Sequence, residues 1–244
     1  MYWLEPMAEN RIVILGDSLA MPRIMDGIRF EDTYAYHLAK EFEPDFTLYN
    51  RAKRANTFAK QAVEWTLNDD FICYNPKIVI IHLGIVDCAP RLFSELQNKV
   101  IEMMPAPIRK PIITFFSKRR LFFTRLFKKV YVDKKCFEAG IRSILTHIDS
   151  SKQKTIIVGI APTNTVNANR SYGFEANIMD YNNILKNVAA TKENTIFLDV
   201  RDQINPDIHL LPDGIHLTKE GHLIISKMII NHLNNSLKLT AMTK

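Results

Sequence analysis

Cysteine is scarce in this sequence, and where it occurs it forms no pattern. Cys73, Cys88 and Cys136 make no CxxC pair and no metal-ligand spacing. An odd count without a framework fits a reducing compartment better than a disulfide-stapled secreted scaffold. No apolar run approaches the ~20 residues needed to cross a bilayer. The opening MYWLEPMAEN lacks a basic start followed by an apolar stretch, so no signal peptide is expected. Internal repeats and low-complexity tracts are absent too. These absences leave a cytoplasmic globular protein as the expectation.

The chain has 244 residues, 47% of them hydrophobic, enough to bury a core within one domain spanning 1–244. Its net charge of +6 is modest, so where the charge sits matters more than its size. Short apolar runs recur at Ile12 to Leu15, Phe46 to Tyr49, Ile78 to Leu83, Ile156 to Ile160 and Ile196 to Leu198. Most are rich in Ile and Val without strict alternation, the pattern of strands buried on both faces. Helical stripes lie between or after them. They comprise Phe58, Ala62 and Trp65; Phe137, Ile141, Ile144 and Ile148; Ile178, Tyr181, Leu185 and Val188; and Ile225, Met228, Ile229 and Leu233. The alternation predicts an α/β three-layer sandwich around a parallel sheet, with ligands beyond the carboxyl ends of the strands.

One segment breaks this rhythm. From Pro105 to Tyr131 there is no acidic residue, yet Arg109, Lys110, Lys118, Arg119, Arg120, Arg125, Lys128 and Lys129 occur there. Phe115, Phe116, Phe122, Phe123 and Phe127 are threaded among them. It reads as an insertion at about 105–133, ahead of a helix opening near Lys134. Three roles fit. The preferred one is a lid or extra helical pair whose aromatics shield the site. A contact with an anionic membrane or polymer and packing against the core or a second subunit are the others. Nothing else in the chain resembles a nucleic-acid module, so no nucleic-acid partner is expected.

The chemistry concentrates at two places. In Arg11 to Leu19, RIVILGDSL, a strand ends at Gly16 and Ser18 sits on the turn leaving the sheet. A serine there exposes its hydroxyl at the ligand edge, beside backbone N–H groups suited to an oxyanion. An ordinary helix cap is the alternative. Near the other end stands Pro212-Asp213-Gly214-Ile215-His216-Leu217-Thr218. A carboxylate three residues before a histidine can accept its Nδ1 proton and leave Nε2 free to take one from a serine.

Together these blocks resemble the SGNH (GDSL) hydrolase family, over almost the whole chain. The resemblance implies a flavodoxin-like five-stranded parallel sheet, with Ser18 as nucleophile, His216 as general base and acid, and Asp213 as its orienting partner. It also implies no metal or organic cofactor. The middle blocks depart from the family pattern. Ala55 stands where a glycine N–H joins Ser18 in the oxyanion hole, and Gly84-Ile85-Val86-Asp87 replaces Gly-x-Asn-Asp. Valine donates no hydrogen bond. Asn56 and Asn164, both near strand ends, are candidate replacements, with turn formation as the competing role.

Arg23 and Arg91 each follow a proline shortly after a strand. In the family's sheet order those strands are neighbours, so both guanidiniums are expected to reach one pocket and bind an anionic group of the substrate. Pairing with Asp17, Asp26 or Asp87 is the alternative. His82 reads as a core histidine, and His209, His222, Asp199 and Asp202 lack the motif. Three functions remain open: hydrolysis of a small or carbohydrate-linked ester, O-acyl transfer to a sugar, and ligand binding by a catalytically impaired relative. Substrate identity and oligomeric state are not legible.

Overall fold

In the computed structural model, which describes residues 10–242 with side chains through 235, all five apolar runs are strands. They are β1 (Asn10–Gly16), β2 (Phe46–Asn50), β3 (Ile78–His82), β4 (Lys154–Val158) and β5 (Thr195–Leu198). The opening stretch read for a signal peptide lies, up to residue 9, outside the described residues. Every pairing is parallel, in the order β2-β1-β3-β4-β5. Register is set by Ile14 beside Ile80 and by Ile80 beside Ile156.

Helix α1 (Tyr34–Phe42) joins β1 to β2, and α2 (Phe58–Gln61) and α3 (Glu64–Asp70) join β2 to β3. Five helices separate β3 from β4: α4 (Ile85–Cys88), α5 (Glu95–Met103), α6 (Ala106–Lys118), α7 (Arg120–Phe127) and α8 (Lys134–Thr146). Helices α9 (Thr165–Arg170) and α10 (Phe174–Ala189) precede β5, and α11 (Pro206–His209) and α12 (Lys219–Met242) follow it.

The period of the strands divides the core into two faces. Val13, Leu15, Val79, Ile81 and Ile157 pack with Phe58, Phe137, Ile141, Tyr181 and Leu185 from α2, α8 and α10. Ile12, Ile14, Ile78, Ile80, Ile156 and Val158 pack with Leu38, Ile225 and Ile229 from α1 and α12. Every residue of β3 is buried, which is why its sequence does not alternate; the edge strands β2 and β5 are half-buried.

One stripe differs from expectation. Phe58, Ala62 and Trp65 do not share a helix face, because Val63 is extended between α2 and α3. The break turns Trp65 outward, where it is 72% exposed. Helix α8 opens at Lys134, where the insertion was expected to end, and the insertion itself forms the α6–α7 pair. Among the described residues no helix is long and apolar enough to cross a membrane.

Candidate active site

Strand order reverses direction at β1, whose neighbours β2 and β3 carry the chain to opposite sides, so the crevice beyond its carboxyl end is the expected ligand position. Ser18 is there. Asp17 caps a single 3-10 turn, Ser18 to Ala20, by accepting a 2.8 Å bond from the Leu19 N–H. Gly16 keeps this exit narrow: a Cβ on it would lie 3.3 Å from the Ala20 Cβ.

The second block returns to that serine from the far end of the chain. Ser18 Oγ lies 2.9 Å from His216 Nε2, and His216 Nδ1 lies 2.6 Å from Asp213 Oδ2. Asp213 Oδ1 accepts the backbone N–H groups of Ile215 and His216, each at 3.0 Å. Burial opposes ionisation of Asp213, but the bonds from the His216 ring and from these two N–H groups outweigh it and lower the carboxyl from 3.8 to about 2. The loop itself turns through Gly214, whose φ of +65° favours glycine. Thr163 Oγ1 donates to the Gly214 carbonyl at 2.8 Å, and Asn167 Nδ2 donates to that of Asp213. The loops after β4 and β5 are thereby fastened to each other.

Among the backbone donors at this end that have no partner among the described residues are the N–H groups of Ser18 and Ala55. Ala55 holds φ at +53°, the left-handed conformation a glycine adopts without strain. Its loop is braced from beneath. Asp70, fully buried, accepts from Lys53 Nζ at 2.5 Å, Arg51 Nη2 at 3.1 Å and Gln61 Nε2 at 3.2 Å.

Asn56 is not placed as an oxyanion donor, because both amide protons have acceptors: the Gly16 carbonyl at 3.2 Å and Gln61 Oε1 at 2.7 Å. Asn164 is likewise a cap, accepting from the Asn167 N–H at 2.9 Å while its amide faces the Pro212 carbonyl. Val86 is almost buried and presents no donor. The bracing roles of Asp70 and Gln61 had no sequence signal, since neither belongs to a motif.

The two arginines do not share a pocket. Arg23 pairs with Asp26 at 2.7 Å and reaches Asp213 Oδ2 at 3.8 Å, so it lies against carboxylates of this chain rather than standing free for a ligand. Arg91 turns away under the insertion, donating to the Val86 carbonyl at 3.1 Å and lying 4.1 Å from the Tyr131 ring centroid. The α6–α7 pair is fixed to the body by Arg120, which donates to Ser171 Oγ and the Pro90 carbonyl, both at 2.7 Å. Its phenylalanines stack mainly on one another, Phe116 on Phe123 at 4.4 Å and Phe123 on Phe127 at 5.7 Å. No hydrogen bond or ion pair among the described residues joins the pair to Ser18 or His216.

Behind the serine lie four buried titratable groups. Asp17 and Asp87 are fully buried, and one oxygen of each, Oδ2, has no hydrogen-bond partner. Burial lifts both carboxyls from 3.8 to about 7. Burial drives His82 down to about 3 and His222 down to about 4. Both histidines bond to Tyr34, His82 through its hydroxyl and His222 through its N–H, in the structural role expected of His82. Among the described residues no cluster of His, Cys, Asp or Glu is arranged to hold a metal ion.

A parallel sheet covered on both faces, with a serine turn after its first strand, places the chain among the serine hydrolases that act on esters. Residues 14–224 match the model of the GDSL-like lipase/acylhydrolase family, and the chain belongs to that family. Among curated protein sequences none matches significantly. Solved structures do. A catalytic mutant of an acetylxylan esterase from Geobacillus stearothermophilus superposes with a TM-score of 0.61 at 15% identity, covering 93% of this chain and 95% of that one. The lipase/acylhydrolase from Enterococcus faecalis gives 0.63 at 14% identity, over 93% and 96%. An α/β hydrolase from the metagenome of Lake Arreo gives 0.62 at 19%, over 92% and 94%. At these identities the likeness concerns the fold.

Proposed function

We propose that the protein removes an acyl group from a small or carbohydrate-linked ester through an acyl-Ser18 intermediate. The observation that carries this reading is the continuous relay from Ser18 Oγ through His216 to Asp213, at 2.9 and 2.6 Å. Ser18 Oγ attacks the ester carbonyl carbon as His216 Nε2 takes its proton. The carbon–oxygen bond to the leaving alcohol breaks, and the same proton passes to that alcohol. Water then gives a proton to His216 and attacks the acyl carbon, and Ser18 Oγ recovers its proton as it leaves. Asp213 holds the imidazole in the tautomer that keeps Nε2 available and stabilises its positive charge. The unpartnered N–H groups of Ser18 and Ala55 receive the oxyanion. A carbohydrate ester is favoured by the acetylxylan esterase neighbour.

Val86 is the observation on the side of a second reading, a binding role with impaired catalysis. Losing one oxyanion donor costs about a hundred- to a thousandfold in rate. Labelling with a fluorophosphonate decides between them. Stoichiometric labelling that disappears in Ser18→Ala supports the enzyme, and its absence from a folded wild-type protein sinks it. A burst assay with and without a sugar acceptor then separates hydrolysis from transfer.

The α6–α7 pair is assigned to contact with an anionic membrane surface. Phe122 and Leu126 are each 61% exposed on α7, beside Arg119 and Arg125, in a segment without one acidic residue. Interleaved bulky apolar and basic side chains of this kind lie at the headgroup boundary.

A further inference from the structure

Arg91 and Arg120 line one cavity, of about 290 Å³, between the loop after β3 and the α6–α7 pair. Both guanidiniums are largely withdrawn from solvent, and neither makes an ion pair with a carboxylate among the described residues; Asp87 and Glu95 attract Arg91 only from farther off, Asp87 being held neutral by burial and Glu95 engaged by Lys60 at 2.7 Å. Arg91 donates only to the Val86 carbonyl; its Nε–H is buried with no acceptor at all. Arg120 has a free Nη1 beyond its bonds to Ser171 and Pro90. Glu102, the one acidic residue at the rim, is exposed and makes no ion pair with either. Two like charges held together away from water, with no carboxylate in direct contact, are unfavourable unless something anionic joins them. Guanidinium forks suit the oxygens of a phosphate or carboxylate.

The remaining walls say what else such a ligand carries. Phe93, Ile101 and Ile113 are apolar, and Ser117 adds a hydroxyl on the α6 side. None of the triad residues lines this cavity. The geometry points to a binding site for a small organic anion, its phosphate or carboxylate on Arg91 and Arg120 and its body against Phe93, Ile101 and Ile113. The site is separate from the Ser18 cleft and stands whether or not the esterase reading does. It joins α4, whose Val86 carbonyl Arg91 holds, to the helical pair that carries Arg120.

Calorimetric titration of the whole protein with phenyl phosphate, and separately with inorganic phosphate, tests it. One-to-one saturable binding is expected, tighter for phenyl phosphate because of the apolar wall. Arg120→Gln removes one fork and should weaken binding about tenfold or more. Ser117→Glu, which keeps both arginines and supplies an internal carboxylate, should abolish it and keeps the test valid should Arg120→Gln misfold. Ser18→Ala should bind like the wild type. Absence of saturable binding overturns the site, as does affinity unchanged in both cavity variants or lost in Ser18→Ala. Equal affinity for the two phosphates overturns the organic body.

Discussion

Replacing Asp87 with Asn should make stability rise more steeply with pH than it does in the wild type. Asp17 and Asp87 each sit at about 7 in the folded chain against an ordinary 3.8. A carboxyl raised this way stabilises the fold fully below its unfolded value and loses that contribution as pH climbs through the folded one. His82 and His222, at about 3 and about 4 against an ordinary 6.5, act in reverse: their contribution is present above 6.5 and lost as pH falls. At about 1.4 kcal/mol per pH unit and group, the two carboxyls act against the two histidines between about pH 4 and 6.5, and His232, also lowered from 6.5 by burial, adds to the rising side. Asp213, lowered to about 2, titrates below that window. Asn at 87 keeps an acceptor for the Phe58 N–H, now at 3.0 Å from Oδ1, and removes one titrating group. The variant should therefore gain about 3 kcal/mol more than the wild type on going from pH 4 to 6.5. Urea unfolding followed by circular dichroism at half-unit steps measures both. Parallel profiles would mean that burial does not hold the Asp87 carboxyl neutral, and the account of the four groups behind Ser18 would be wrong.

Asp213→Asn should lower turnover of p-nitrophenyl acetate by about ten-thousandfold with the fold intact, through loss of the correct imidazole tautomer; a drop below tenfold would remove Asp213 from the relay. Val86→Asn should raise the same turnover at least tenfold by supplying an oxyanion donor. An unchanged rate would show that the Ser18 and Ala55 N–H groups suffice. Ala55→Gly should add about 1 kcal/mol of stability by relieving the left-handed alanine at φ +53°. A lower urea midpoint would contradict that. Phe122→Ser with Leu126→Ser should reduce sedimentation with phosphatidylglycerol vesicles severalfold, against none with phosphatidylcholine; equal binding by the double variant would exclude this face as the contact.

What the sequence made legible is local. The bond from His216 to Ser18, 198 residues away, was expected only from the family resemblance, whereas Asp213 and His216 lie three residues apart on one turn, so spacing predicts the bond between them. The strands were legible for the same reason: β3 is buried along its whole length, and its composition says so. Asn56 fails that condition. Whether its amide faces a substrate depends on Gln61 and the end of β1, which take both its protons. The two arginines divide along the same line. Arg23 meets Asp26 three residues on, a pairing within reach of sequence reasoning. Arg91 follows a strand adjacent to β1, and adjacency fixes the backbone but not where a long side chain ends. Its guanidinium goes to whatever packs above it, and that is the insertion, whose fold no motif announced. An anionic ligand read from Arg91 therefore belongs with Arg120 under the helical pair, rather than with Arg23 beside the serine.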